Sequence, residues 1–78
     1  MTYIHYKTGN RYVVEQLVIE SDTLNTVVVY RNEQGITFCR PLETPGRKSW
    51  CDMVELDGVE VPRFRLLTVE DIKEKTNG

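Results

Sequence analysis

Both alternating phases of the segment Arg11–Ile19 are apolar: Val13, Leu17 and Ile19 fall on one, Tyr12, Val14 and Val18 on the other. A strand apolar on both sides is buried on both faces, or it bends so that its halves serve different layers. A chain of 78 residues forms one domain and must build a compact core, because it buries only about 60% of its unfolded surface. The bent alternative therefore predicts a tightly curved, barrel-like sheet.

The rest of the chain supplies strands and turns for such a sheet. Thr2–Lys7 alternates, with Ile4 and Tyr6 opposite Tyr3, His5 and Lys7, and Thr8-Gly9-Asn10 then turns the chain. Glu20–Asn25 is a polar connection, with Leu24 expected to plug one end of the barrel. Thr26–Arg31 is β-branched and returns through Asn32-Glu33-Gln34-Gly35 into Ile36–Arg40, where Pro41 ends the pairing. Leu42–Trp50 lacks periodicity and reads as a basic surface loop, with Trp50 folding back onto the core. Met53–Leu56 and Val59–Val61 flank Asp57-Gly58, a pair suited to a type I′ hairpin turn. After Pro62, Phe64–Leu67 forms a last strand. Thr68 caps a short helix over residues 69–75, with Asp71 as the capping acid and Val69 and Ile72 packed on the barrel. The expected fold is thus all-β, a small SH3-like barrel of about five strands over residues 2–67 with a short C-terminal helix, the whole chain 1–78 being one domain.

Composition excludes several functions. Twelve acids against ten Lys and Arg leave a net charge of −2, which argues against non-specific nucleic-acid binding. Cys39 and Cys51 lie in no CxxC pattern and His5 is the sole histidine, so no metal site or cofactor is expected. No secretory h-region and no long apolar run is present, which predicts a cytoplasmic, non-membrane protein with free thiols. Cys39 reads as a packed thiol. A Cys39–Cys51 disulfide would require their strands to pair. His5 lacks a nearby acid in sequence and no paired-carboxylate or phosphate-loop pattern occurs, so no enzyme activity is expected.

Basic residues recur beside aromatics: His5-Tyr6-Lys7, Tyr30-Arg31, Phe38-Cys39-Arg40 and Arg63-Phe64-Arg65. Arg31 continues the phase of Val27 and Val29, and Arg40 that of Ile36 and Phe38. Each guanidinium would then sit at the barrel mouth with its stem packed. Arg63 and Arg65 share a face opposite Phe64. His5, Lys7, Tyr30, Arg31, Arg40, Arg63 and Arg65 together form a candidate rim for a small anionic, nucleotide-like ligand or an acidic protein surface. The alternative for each Arg is a salt bridge to Glu43, Glu55 or Glu60. Scatter over both phases favours packing over an aromatic cage for Tyr3, Tyr6, Tyr12 and Tyr30. Single-stranded nucleic acid is a further partner class for a basic-aromatic surface, lowered here by the acidic balance.

The strings His5-Tyr6-Lys7-Thr8-Gly9-Asn10-Arg11-Tyr12, Glu20-Ser21-Asp22-Thr23-Leu24, Val28-Val29-Tyr30-Arg31, Arg40-Pro41-Leu42-Glu43 and Val59-Glu60-Val61-Pro62-Arg63-Phe64 resemble, in order and spacing, a small bacterial and phage family catalogued as a domain of unknown function (number 1653). The likeness runs from about Tyr3 to Leu67. It implies a compact, mostly β domain often found alone, and no reaction. Thr44–Asp52 is longer and more basic than the family's usual link, and the helix from Val69 lies beyond its usual end. A phage origin would suit a non-enzymatic module that binds and blocks a host molecule, or an inhibitor or adaptor of a host protein.

Overall fold

The computed structural model describes residues 1–71. They form seven strands: β1 (Thr2–His5), β2 (Arg11–Ile19), β3 (Thr26–Asn32), β4 (Thr37–Pro41), β5 (Met53–Leu56), β6 (Val59–Pro62) and β7 (Phe64–Leu66). Five make one antiparallel sheet in the order β4-β3-β2-β1-β7, while β5 and β6 pair only with each other. The chain is thus mainly β, and its seven strands fall on the seven strand segments read from the sequence, five of them in the main sheet. The sheet is not closed into a barrel, since its edge strands β4 and β7 share no ladder. One physical reason lies at the end of β4, where Trp50 and Cys51 donate their backbone N–H groups to Pro41 O and Leu42 O at 2.8 and 3.0 Å.

The two apolar phases of β2 have a local cause. The β2–β3 register shifts between Val14 and Gln16, leaving Glu15 as the extra residue of a β-bulge. A bulge bends its strand and inverts the alternation beyond it. Tyr12 and Val14 therefore face the same side as Leu17 and Ile19, whose cross-strand partners are Val28 and Thr26. Glu15 instead accepts a 3.2 Å hydrogen bond from the Thr37 hydroxyl.

The core lies on this inner face. Val28, Tyr30, Trp50 and Phe64 are buried together, with Tyr3, Tyr12, Val14 and Leu42 against them. Aromatic contacts dominate: Tyr12 and Tyr30 meet edge to face at 5.5 Å, as do Tyr3 and Trp50 at 5.3 Å. Trp50 is inside, as its sequence context predicts, because the preceding loop is pinned. Ser49 is buried; its hydroxyl accepts from Thr44 N–H at 2.9 Å and lies 3.0 Å from Arg47 O and 3.2 Å from Thr44 O, to one of which it donates. Its own N–H donates to the Asp52 carboxylate at 2.8 Å.

Turn chemistry follows the sequence. Asp57 and Gly58 both take positive φ, 52° and 81°, as a type I′ turn requires. Leu24 also has φ 61° but is 73% exposed, so it plugs nothing. Cys39 and Cys51 are free thiols and both are exposed, so Cys39 is not a packed one. Residues 69–71 are helical. Thr68 N–H donates to the Asp71 carboxylate at 2.8 Å and Asp71 N–H reaches the Thr68 hydroxyl at 3.4 Å, forming the expected capping pair. Val69 is 66% exposed rather than packed on the sheet. Ile72 and the rest of the expected helix lie outside the described residues.

A candidate cationic-aromatic site

Four of the seven expected rim residues meet at one end of the inner face. The register pairs Val28 with Arg40, Tyr30 with Phe38, and His5 with Phe64. Residues directly opposite in an antiparallel pair share a face, so Arg40, Tyr30 and His5 all point inward. The Arg40 Nε donates to the Tyr30 hydroxyl at 3.2 Å, and its guanidinium carbon lies 5.2 Å from the centre of the Phe64 ring. Phe64 is stacked on Trp50 with centroids 3.9 Å apart. The His5 ring meets Phe64 edge to face at 5.2 Å.

Arg63 joins this cluster from the bend between β6 and β7. Its guanidinium pairs with Asp52 at 3.4 Å, and its backbone N–H donates to Asp52 O at 2.9 Å. Asp52 thus ties Ser49, the Trp50 loop and Arg63 into one unit. Lys7 sits exposed in the turn after β1, and its N–H donates to His5 Nδ1 at 3.3 Å. That bond leaves Nε2 to carry the proton of the neutral ring.

The electrostatics are one-sided. Burial, then the charges of Arg40, Arg63 and Lys7, hold the His5 pKa below its ordinary value. Arg40 Nη1 and Arg63 Nε are both enclosed and have no hydrogen-bond partner. An unpaired buried donor on a charged group is costly. Asp52 is the single acid paired within this group of cations among the described residues.

Arg31 and Arg65 are not brought to the site. The buried residues of β3 are Val28 and Tyr30, so Arg31, on the phase of Val27 and Val29, faces the outer side. β-branched side chains occupy both phases of β3, and the ring contacts of Tyr30 with Tyr12 and Phe38 decide which is inner. Arg65 alternates with Phe64 and pairs in fork fashion with Asp71, both distances being 2.8 Å. Among the described residues the acids that pair with arginine are Asp52 and Asp71, and no pair with Glu43, Glu55 or Glu60 occurs there. Sequence reasoning also missed Asp52 and the Trp50–Phe64 platform as parts of the site. No spacing signal marks them, since the contacts close across the 42–64 segment.

Among the described residues no group of three or more His, Cys, Asp or Glu side chains is placed to hold a metal. No described helix is long and apolar enough to cross a membrane. Burial, with the charges of Glu43 and Asp52, pushes the Cys51 thiol pKa up, away from nucleophilic reactivity.

Comparison with known proteins returns no match among curated proteins and none among solved structures. A family model described as "protein of unknown function (DUF1653)" matches residues 1–66, nearly all the described residues, and the chain belongs to that family.

Proposed function

We propose that this protein is a non-enzymatic binding module whose His5–Tyr30–Arg40–Arg63 cluster, with Lys7 at its edge, takes a small anionic, nucleotide-like ligand. The observation that carries this reading is the pair of enclosed, unpartnered guanidinium nitrogens on Arg40 and Arg63, beside a histidine whose pKa their charges lower. An oxyanion offsets that charge, and guanidinium forks match phosphate oxygens. The groove next to Trp50, about 460 Å³ and lined by Tyr3, Val14, Val28 and Leu42, offers apolar surface for a flat group on the far side of the indole that stacks on Phe64. On this reading the fold is an opened SH3-like barrel, supported by the β7-β1-β2-β3-β4 order and the bend in β2. It acts in the cytoplasm, and a phage-encoded copy would sequester a host molecule.

Calorimetric titration with mono- and dinucleotides tests the proposal. Saturable binding that is lost in Arg40→Gln and weakened in Arg63→Gln is expected. Absence of binding, or binding untouched by both changes in folded protein, overturns it.

A second reading, an inhibitor or adaptor of a host protein, rests on the β5–β6 hairpin. Val54 pairs with Val61 and Leu56 with Val59, giving one all-apolar face, with Leu56 42% and Val59 61% exposed. Capture of one protein from host lysate that is lost in Leu56→Lys, with nucleotide binding absent, would favour it. Salt-sensitive binding of oligonucleotides would instead favour the single-stranded nucleic-acid alternative.

A further inference from the structure

The outer face of the sheet carries its own cationic groove, separate from the inner cluster. It has a volume of about 450 Å³ and is lined chiefly by Thr2, Arg11, Val13, Arg31, Glu33 and Leu67. The sheet register explains the gathering. Thr2 lies opposite Val13, Val13 opposite Arg31, and Arg11 opposite Ile4. These residues therefore share the face away from Tyr12 and Tyr30. Leu67 closes the groove from β7's end, where its N–H donates to Thr2 O at 2.8 Å.

One wall is preorganised. The Asn32 side-chain oxygen accepts from the N–H groups of Gln34 and Ile36 at 3.0 and 2.9 Å. The turn that carries Glu33 is thus pinned to the end of β3. Arg11 and Arg31 are both half-buried, and neither has an ion-pair partner among the described residues. Two guanidiniums against the one acid, Glu33, leave the lining with an excess of one positive charge.

We propose that this groove is a second binding site, for a small monocarboxylate with a short apolar chain. The carboxylate oxygens take the forks of Arg11 and Arg31, the bidentate geometry for which guanidinium is suited. The apolar chain lies on Val13 and Leu67. Glu33 repels a second negative charge and so selects a monoanion over a phosphate dianion. The site shares no lining residue with the His5–Arg40–Arg63 cluster.

The test is a titration of the full chain with sodium butyrate, followed by NMR of backbone amides and arginine Nε–H groups. Sodium chloride and inorganic phosphate serve as matched-ionic-strength arms. Butyrate is expected to move Arg11, Arg31 and Gly35 signals saturably, and to do so in Arg40→Gln as well. Arg31→Gln should weaken binding about tenfold or more, the loss of a charge-assisted hydrogen bond. Glu33→Gln should let phosphate bind comparably. Equal shifts with chloride, phosphate moving the Arg11 and Arg31 signals at lower concentration than butyrate does, or shifts confined to His5 and Arg40 overturn the proposal. Because Arg31→Gln and Arg40→Gln report on opposite faces, failure here leaves the inner site separately decidable.

Discussion

Trp50 and Phe64 lie ring on ring, with planes 4° apart and centroids separated by 3.9 Å. Trp50 belongs to the loop between β4 and β5, and Phe64 opens β7. Aromatic pairs more often sit offset or edge to face at wider spacing. Here the Arg40 guanidinium also lies against the Phe64 ring. A cation draws on that ring's electron density and lessens the repulsion between two parallel π faces. One stack therefore joins the loop, the last strand and the candidate site.

Removing the indole should take away a large share of the domain's stability. A large buried aromatic truncated to alanine costs about 3–5 kcal/mol. The whole stability of a domain this size is about 4–12 kcal/mol. Trp50→Ala is expected to show a strongly lowered urea midpoint, and Trp50→Phe a smaller drop, as followed by circular dichroism. A midpoint for Trp50→Ala close to that of the unaltered chain would show that the stack is dispensable.

Leu24 should be replaceable with a gain. It is 73% exposed and holds φ 61°, a conformation that places Cβ against the backbone. For a residue other than glycine or asparagine that conformation costs roughly 1–2 kcal/mol. Its N–H donates to Glu20 O at 2.8 Å, so the turn itself survives substitution. Leu24→Asn is expected to stabilise by about 1 kcal/mol in denaturant unfolding. A loss of stability would mean that the leucine makes an apolar contact worth more than the strain.

Acid should release the Thr68–Asp71 turn. The Arg65 fork, then the Thr68 N–H and hydroxyl, hold the Asp71 carboxyl well below the usual carboxylate range. A depressed folded pKa contributes stability that is complete above the ordinary value of 3.8 and is lost as pH falls below it. The Thr68 amide proton should hold its shifted NMR position through mildly acidic pH and lose it only in strong acid. Asp71→Asn should abolish that shift at every pH while leaving the core ring contacts intact. An Asp71 carboxyl titrating at its ordinary value would remove the basis for this pairing.

The strand ends were legible in the sequence because turn chemistry is local. Asp57-Gly58 has to take two positive φ values in succession, whereas Pro41 does not end its pairing as expected: it lies opposite Val27, and the next residue, Leu42, still donates to Thr26 O at 2.9 Å. The bend in β2 was legible too, from its two apolar phases, although the bulge at Glu15 that produces it was not. Which face of β3 is inner was not legible. Val27, Val29 and Arg31 look as suitable as Val28 and Tyr30 until the partners on β2 and β4 are known. That choice divides the expected rim between two faces. Asp52 was hidden for a related reason: its bonds to Ser49 are short-range, but its pairing with Arg63 depends on how the β5–β6 hairpin returns the chain.

His5 offers a direct readout of the inner cluster, since it is the chain's sole histidine. Its pKa lies below the ordinary 6.5 because burial and the charges of Arg40, Arg63 and Lys7 all oppose protonation. Above that value the ring is neutral in both folded and unfolded chains and pH has no effect through it. As pH falls through 6.5 the unfolded chain takes up a proton before the native one does, so native stability declines until the lower folded pKa is passed. His5→Gln should remove this leg of the stability profile. In NMR titration the His5 ring proton should report a pKa below 6.5 that moves upward in Arg40→Gln. An anion bound at the cluster offsets the same charges, so it should raise the His5 pKa as well. Its affinity should then increase as pH falls below the bound-state pKa. A His5 signal indifferent to both Arg40→Gln and saturating nucleotide would separate the histidine from the site and leave the cluster without its electrostatic signature.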